Sequence, residues 1–230
     1  MTATTEDLQL DVGPGEDSVS ALLLRPAGAW LLYALAHGAG AGMRHRFLWS
    51  ISEALASRGV ATLRYQFPYM ERGARRPDTP AVAEATVRAA AHGAAKAAPD
   101  LPLIAGGKSF GGRMTSGAAA KSLPGVSGLA FLGFPLHPPG QPGTSRADHL
   151  DHVGIPMLFL QGTRDQFARV DLITSVCERL GDRATLHLVE DADHSLGVPK
   201  RSGRAPESVI EELADTLVVW ARSHVTGRTG

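Results

Sequence analysis

Ser109 lies in the run Leu103-Ile104-Ala105-Gly106-Gly107-Lys108-Ser109-Phe110-Gly111-Gly112, with a glycine two residues to either side of it. The segment before it is short and apolar, as a buried strand would be, and the Ala- and Gly-rich segment after it reads as a helix. A serine at a sharp strand-to-helix turn is held in a strained backbone conformation, and the flanking glycines make room for that turn. The strain lifts the hydroxyl above the sheet edge, where a base can reach it, and the start of the helix stabilises a developing oxyanion. The chemistry is nucleophilic attack. A phosphate-binding loop is the rival reading, because Gly107-Lys108-Ser109 looks like the end of one. That motif needs a glycine at position 102, where this chain has Pro102.

A serine nucleophile needs a base, and the base needs an orienting acid. A strand-like run over residues 156–161 leads into Gly162-Thr163-Arg164-Asp165, and another over 185–189 leads into Glu190-Asp191-Ala192-Asp193-His194-Ser195. Asp165 and His194 would therefore each follow a strand, as Ser109 does, at the sheet edge where sites of open α/β folds gather. Singly, Asp165 could cap the helix beginning near Ala168, and His194 is one of nine histidines. The conjunction of the three is much harder to obtain by accident. Asp191 and Asp193 read as turn or capping residues, and the strand over 126–134 ends in Pro135-Leu136-His137, with no carboxylate.

The oxyanion donors are expected to be the N–H of Phe110 and one from the loop His37-Gly38-Ala39-Gly40-Ala41-Gly42, Ala39 first and Gly40 second. As a dinucleotide fingerprint this loop fails, because Met43 stands where the third glycine is needed. His37, Arg44 and His137 are candidates for substrate contacts, His37 being a loop-ordering residue rather than a base.

The elements that must position these residues alternate between strand and helix. Residues 8–12 and 18–25 flank Gly13-Pro14-Gly15-Glu16-Asp17, the signal of an antiparallel hairpin. Strands are expected at 29–36, 60–67, 103–107, 126–134, 156–161 and 185–189, and helices around residues 47–55 and over 81–98, 111–121, 170–180 and 206–224. That order implies an α/β fold, a parallel sheet with helices on both faces, in a single domain over residues 1–230. Residues 68–80 read as loop. So do residues 135–154, where 148–152 could form at most a short helix, so the site is expected to be open, shallow and suited to short acyl chains.

Composition narrows the partners. The chain has 230 residues, 43% of them apolar, with 23 Lys plus Arg against 23 Asp plus Glu. A net charge of zero disfavours nucleic acid. One cysteine, Cys177, excludes an internal disulfide and a cysteine-rich zinc site. The polar, acidic first residues lack a signal peptide's basic and apolar runs, and no apolar stretch is long enough to span a membrane. A cytoplasmic protein without metal or cofactor is expected; oligomeric state is left open.

The order Ser109, Asp165, His194, with the His37-Gly38 loop, resembles the α/β-hydrolase superfamily over nearly the whole chain. The segments Phe67-Pro68-Tyr69-Met70-Glu71-Arg72-Gly73, Gly107-Lys108-Ser109-Phe110-Gly111-Gly112-Arg113 and Phe134-Pro135-Leu136-His137-Pro138-Pro139-Gly140 resemble a dienelactone-hydrolase-like branch. That branch is related to a testis-expressed hydrolase-like protein and to a subunit of a histone-acetylating complex. The resemblance implies an eight-stranded, mostly parallel sheet with an N-terminal antiparallel hairpin, helices on both faces and a minimal lid. It also implies a serine esterase: Ser109 attacks, His194 moves the proton and Asp165 orients His194. Ordinary dienelactone hydrolases use a cysteine, so Ser109 argues against lactone opening as the natural reaction. The loops expected around Ser109 carry more arginine and lysine than acid, which suggests a small anionic ester as substrate. The alternative, from another class, is a catalytically weak hydrolase-like binding or scaffold protein, since fold alone does not establish chemistry.

Overall fold

The computed structural model describes residues 3–13 and 18–226. The strands are β1 (Ala3–Leu10), β2 (Val19–Pro26), β3 (Leu31–Ala36), β4 (Val60–Tyr65), β5 (Leu103–Lys108), β6 (Val126–Leu132), β7 (Met157–Gly162) and β8 (Ala184–Val189). The α-helices are α1 (Arg46–Ala56), α2 (Pro68–Glu71), α3 (Pro80–Ala97), α4 (Phe110–Lys121), α5 (Val170–Leu180) and α6 (Pro206–Ala221). All eight strands form one sheet in the order β1-β2-β4-β3-β5-β6-β7-β8. The pairs β1/β2 and β2/β4 are antiparallel, and every other pair is parallel. The turn joining β1 to β2, expected at 13–17, lies outside the described residues from 14 to 17.

The apolar strands read as continuous runs because both faces are covered. In β3, Leu32, Ala34 and Ala36 point into the core beneath α3, α4 and α5, while Leu31, Tyr33 and Leu35 point into the core beneath α1 and α6. Alternation at period two sends successive side chains to opposite layers. The alanines of α3 are explained by the same packing: Ala83, Ala90, Ala91 and Ala94 are buried, and small side chains let the helix lie close to its neighbours.

Several expected segments differ. The first strand runs over Ala3–Leu10 instead of residues 8–12, because it pairs with β2 along its whole length, from Ala3 beside Pro26 to Leu10 beside Val19. The loop over 68–80 opens with a single helical turn, α2, started by Pro68, whose fixed φ suits a first helical position. The β6–β7 connection holds a 3-10 helix over Ser145–His152, three residues longer at its start than the 148–152 expected. The last helix ends at Ala221 and passes into a π-helical turn, Arg222–Thr226. Among the described residues, no helix is long and apolar enough to cross a membrane.

Candidate active site

Ser109 sits between β5 and α4 with φ 48° and ψ −112°, a left-handed conformation that a non-glycine residue adopts only when its surroundings force it. The forcing contacts are at the flanking glycines. A Cβ on Gly107, whose φ is 149°, would lie 2.3 Å from the Ala36 carbonyl oxygen. One on Gly111 would lie 2.5 Å from that of His37. Both positions press the elbow against the end of β3, and only glycine fits there. The turn is anchored by the Ser109 N–H, which donates to the Leu132 carbonyl at 3.2 Å.

Asp165 and His194 come from the loops after β7 and β8. A Cβ on Gly162 would lie 2.3 Å from the Ala192 carbonyl, and the Arg164 N–H donates to that same oxygen at 2.8 Å. The two loops are thereby joined directly. The Asp165 carboxylate is buried and fully engaged: Oδ2 accepts from His194 Nδ1 at 2.7 Å and from Gln161 Nε2 at 2.6 Å, and Oδ1 accepts from the Phe167 N–H at 2.7 Å. An ionised carboxylate only accepts, so the proton of the imidazole is on Nδ1. That leaves the Nε2 lone pair facing Ser109 Oγ at 2.8 Å, and the hydroxyl donates to it. The Phe167 ring lies over the imidazole at 4.2 Å between centroids. Asp193, as expected of a turn residue, accepts from the Ser195 and Gly197 N–H groups.

A cavity of about 360 Å³ opens over Ser109 and His194, walled by Ala39, Ala41, His45, Phe47 and Phe167. The Phe110 N–H, first in α4, has no acceptor within its helix. Of the two loop donors expected, Gly40 is taken, because its N–H donates to the Tyr69 hydroxyl at 2.8 Å. The Ala41 N–H goes to the Gly38 carbonyl at 3.2 Å, which leaves Ala39.

The three candidate substrate contacts fall elsewhere. His37 is completely buried, with Nδ1 donating to the Gly38 carbonyl at 2.8 Å and Nε2 accepting from the Phe67 N–H at 3.2 Å. Burial pushes its pKa down to about 4, so it is a neutral strut that orders the loop. Arg44 is exposed and pairs with Asp7 at 3.2 Å. His137 is buried, bonded to the Pro138 carbonyl and the Arg169 N–H. None of the three lines the cavity. Of the loop arginines expected at the mouth, Arg72 pairs with Asp78 and Arg169 with Asp171; none of the described arginines lines the cavity, whose wall does include Lys108.

Sequence reasoning missed Gln161, the one polar residue in β7, four positions before Asp165. Its Oε1 accepts from the Phe134 N–H at 2.9 Å, which fixes the amide so that Nε2 faces the carboxylate. It also missed Lys108, the cation just before the serine, whose Nζ donates to the His194 carbonyl and ties the histidine loop to the elbow. Burial lowers the Lys108 pKa to about 8, while Asp165 and Asp193 act to raise it. In the unfolded chain the amine holds its proton up to its ordinary value near 10.5. Between those two pH values the unfolded state binds more protons, so this group makes stability rise with pH. Urea unfolding of the wild type and Lys108→Met at pH 7, 8.5 and 10 is expected to show the wild type gaining on the variant across this window. A constant difference would contradict it.

The family model described as "Alpha/beta hydrolase domain" matches residues 30–222. Among solved structures, a dienelactone hydrolase from Anabaena variabilis is 19% identical with a TM-score of 0.78, covering 97% of this chain and 99% of that one. An alpha-beta serine hydrolase homologue from Coxiella burnetii is 18% identical with a TM-score of 0.74, covering 94% and 99%. A serine hydrolase without a lid from Xanthomonas campestris is 21% identical with a TM-score of 0.73, covering 96% of each chain. At these identities the likeness is one of fold. The family match covers most of the chain, and the protein belongs to the alpha/beta hydrolase domain family.

Proposed function

We propose that this protein is a serine hydrolase that cleaves small carboxylic esters through an acyl-enzyme. The observation that carries the reading is the continuous bonded line from Asp165 Oδ2 through the His194 ring to Ser109 Oγ. Ser109 Oγ attacks the acyl carbon as its proton passes to His194 Nε2, and the ionised Asp165 stabilises the imidazolium that forms. The Phe110 and Ala39 N–H groups receive the oxyanion. Collapse breaks the ester C–O bond, and His194 returns the proton to the leaving alkoxide. A water molecule then repeats the sequence, giving its proton to His194 as it attacks the acyl carbon, and Ser109 is regenerated. The branch resembling testis-expressed hydrolase-like proteins rests on the three quoted segments, and it adds no substrate to this reading.

A fluorophosphonate probe tests the reading directly, because it reacts only with an activated serine. A stoichiometric mass increase on the peptide containing Ser109 is expected, and an unmodified peptide would overturn the proposal. Substrate size follows from the walls. The cavity holds about 360 Å³ and is walled by Phe47, Leu48 and Phe167. In a series of p-nitrophenyl esters, kcat/KM is expected to peak at acetate to butyrate and to fall about tenfold or more by decanoate, since a long chain leaves its apolar area in water. A rate that climbs with chain length would contradict it. No described arginine lies in the walls, and the Lys108 Nζ there is engaged by the His194 carbonyl, so anionic and neutral isosteric esters are expected to react at similar rates.

A further inference from the structure

A second cavity, of about 440 Å³, lies where α3, α4 and the 3-10 helix Ser145–His152 meet, and it shares no lining residue with the cavity over Ser109. Arg113 and Lys121 reach it from α4, Arg146 and His149 from the 3-10 helix, and Glu84 from α3. Lys121 and Glu84 answer each other at 2.6 Å. The guanidinium groups of Arg113 and Arg146 make no hydrogen bond or ion pair with any described residue. Both side chains are partly buried rather than free in solvent.

Cations withdrawn from water are ordinarily paired, because their desolvation is otherwise uncompensated. Here the cost is visible at Arg113, where burial first and the charge of Arg146 second hold the guanidinium below its usual pKa. His149 is fixed beside them: the Ser116 hydroxyl donates to the Arg113 carbonyl at 2.8 Å, so the His149 Nε2–H is what donates to Ser116 Oγ, also at 2.8 Å. Burial and the same arginine push the His149 pKa down. Two uncompensated guanidiniums beside a neutral imidazole call for an anion of more than one charge. Met114, Pro80 and Ala120 supply apolar wall next to them.

We propose that this cavity is a binding site for a small organic phosphate, a phosphomonoester whose dianionic head is gripped by Arg113 and Arg146 and whose apolar body lies against Met114. The planar fork of a guanidinium matches two phosphate oxygens, and two forks match a dianion. Among the described residues Glu84 is the one carboxylate in the walls, and its pairing with Lys121 keeps it from opposing the ligand. The site stands one helical turn beyond the strained serine, since the Arg113 N–H donates to the Ser109 carbonyl at 3.0 Å.

Phenyl phosphate is the probe, titrated into the whole chain and followed by calorimetry and by the histidine ring signals in NMR. Saturable binding is expected, with the His149 and His152 signals shifting and that of His194 unmoved. Arg113→Gln and Arg146→Gln should each weaken binding about tenfold or more, as loss of charge-assisted bonds does. Arg113→Lys should fall between, and Arg44→Gln, outside the cavity, should change nothing. Phenol and inorganic phosphate should each bind at least about tenfold more weakly than phenyl phosphate. Arg146→Gln removes a guanidinium with no partner among the described residues, so it decides the matter even if Arg113→Gln fails to fold. Absence of saturable binding at millimolar probe, binding indifferent to Arg146→Gln, or a shift at His194 instead of His149 would each overturn the proposal. Inorganic phosphate binding as tightly as phenyl phosphate would also overturn it.

Discussion

Ser109→Ala is expected to reduce the ester-hydrolysis rate by about 10⁴-fold or more, to abolish phosphonate labelling, and to leave the fold in place. The loss is large because the methyl group offers no lone pair to the acyl carbon, and His194 then has no serine proton to take, so only the residual catalysis of the oxyanion donors and binding is left. The fold survives because alanine keeps the same Cβ at the same strained φ of 48°. What disappears is one hydrogen bond, Oγ to His194 Nε2, at the edge of an open cavity where water can replace it. A change in unfolding free energy of about 1 kcal/mol or less is expected. Burst kinetics, probe labelling and urea unfolding of the same preparation check all three parts. Hydrolysis near the wild-type rate in a correctly folded variant would remove the assignment of Ser109 as nucleophile.

Asp165→Asn should be nearly as damaging to the rate, and it should also cost stability. Both oxygens of Asp165 are acceptors, Oδ2 twice over and Oδ1 once. An amide presents one acceptor and one donor. If its nitrogen takes the Oδ2 place, it confronts Gln161 Nε2 and the His194 Nδ1–H. If it takes the Oδ1 place, it confronts the Phe167 N–H. In the first orientation His194 is driven to the other tautomer, with Nε2 protonated and unable to accept from Ser109. In the second the imidazole loses its negative partner. A decrease in kcat of about 10³- to 10⁴-fold is expected, with KM little changed. The unpaired donors inside the protein should lower stability by about 1–3 kcal/mol. Gln161 cannot flip to relieve the clash, because its Oε1 is held by the Phe134 N–H. A variant with full kcat would show that Asp165 only supports the loop.

The steric device at Ser109 was legible because it is local. Gly107, Ser109 and Gly111 lie within five residues, and an elbow between strand and helix follows from their types and order. Asp165 and His194 were legible for a topological reason: each follows an apolar strand, and a right-handed parallel arrangement brings the C-terminal ends of such strands to one edge. The continuous apolar run of β3 likewise implies cover on both faces, without saying which helix supplies it. The remainder depended on where distant parts of the chain meet. Gly40 and Ala39 are equivalent by type, and the choice between them is made by the Tyr69 hydroxyl, twenty-nine positions away, which takes the Gly40 N–H. Arg44 lies in the right loop, and its partner Asp7 is on the far side of β2 in the sheet order. A count of charged residues along loops carries no direction, so a surplus of arginines could not be turned into a cationic mouth. In the fold Arg72 and Arg169 meet carboxylates of their own, while Arg113 and Arg146, thirty-three positions apart, share a cavity. Steric rules act between neighbours in the chain and can be read from it, whereas hydrogen-bond and charge partners are neighbours only in space, and the packing of the two helical layers chose them.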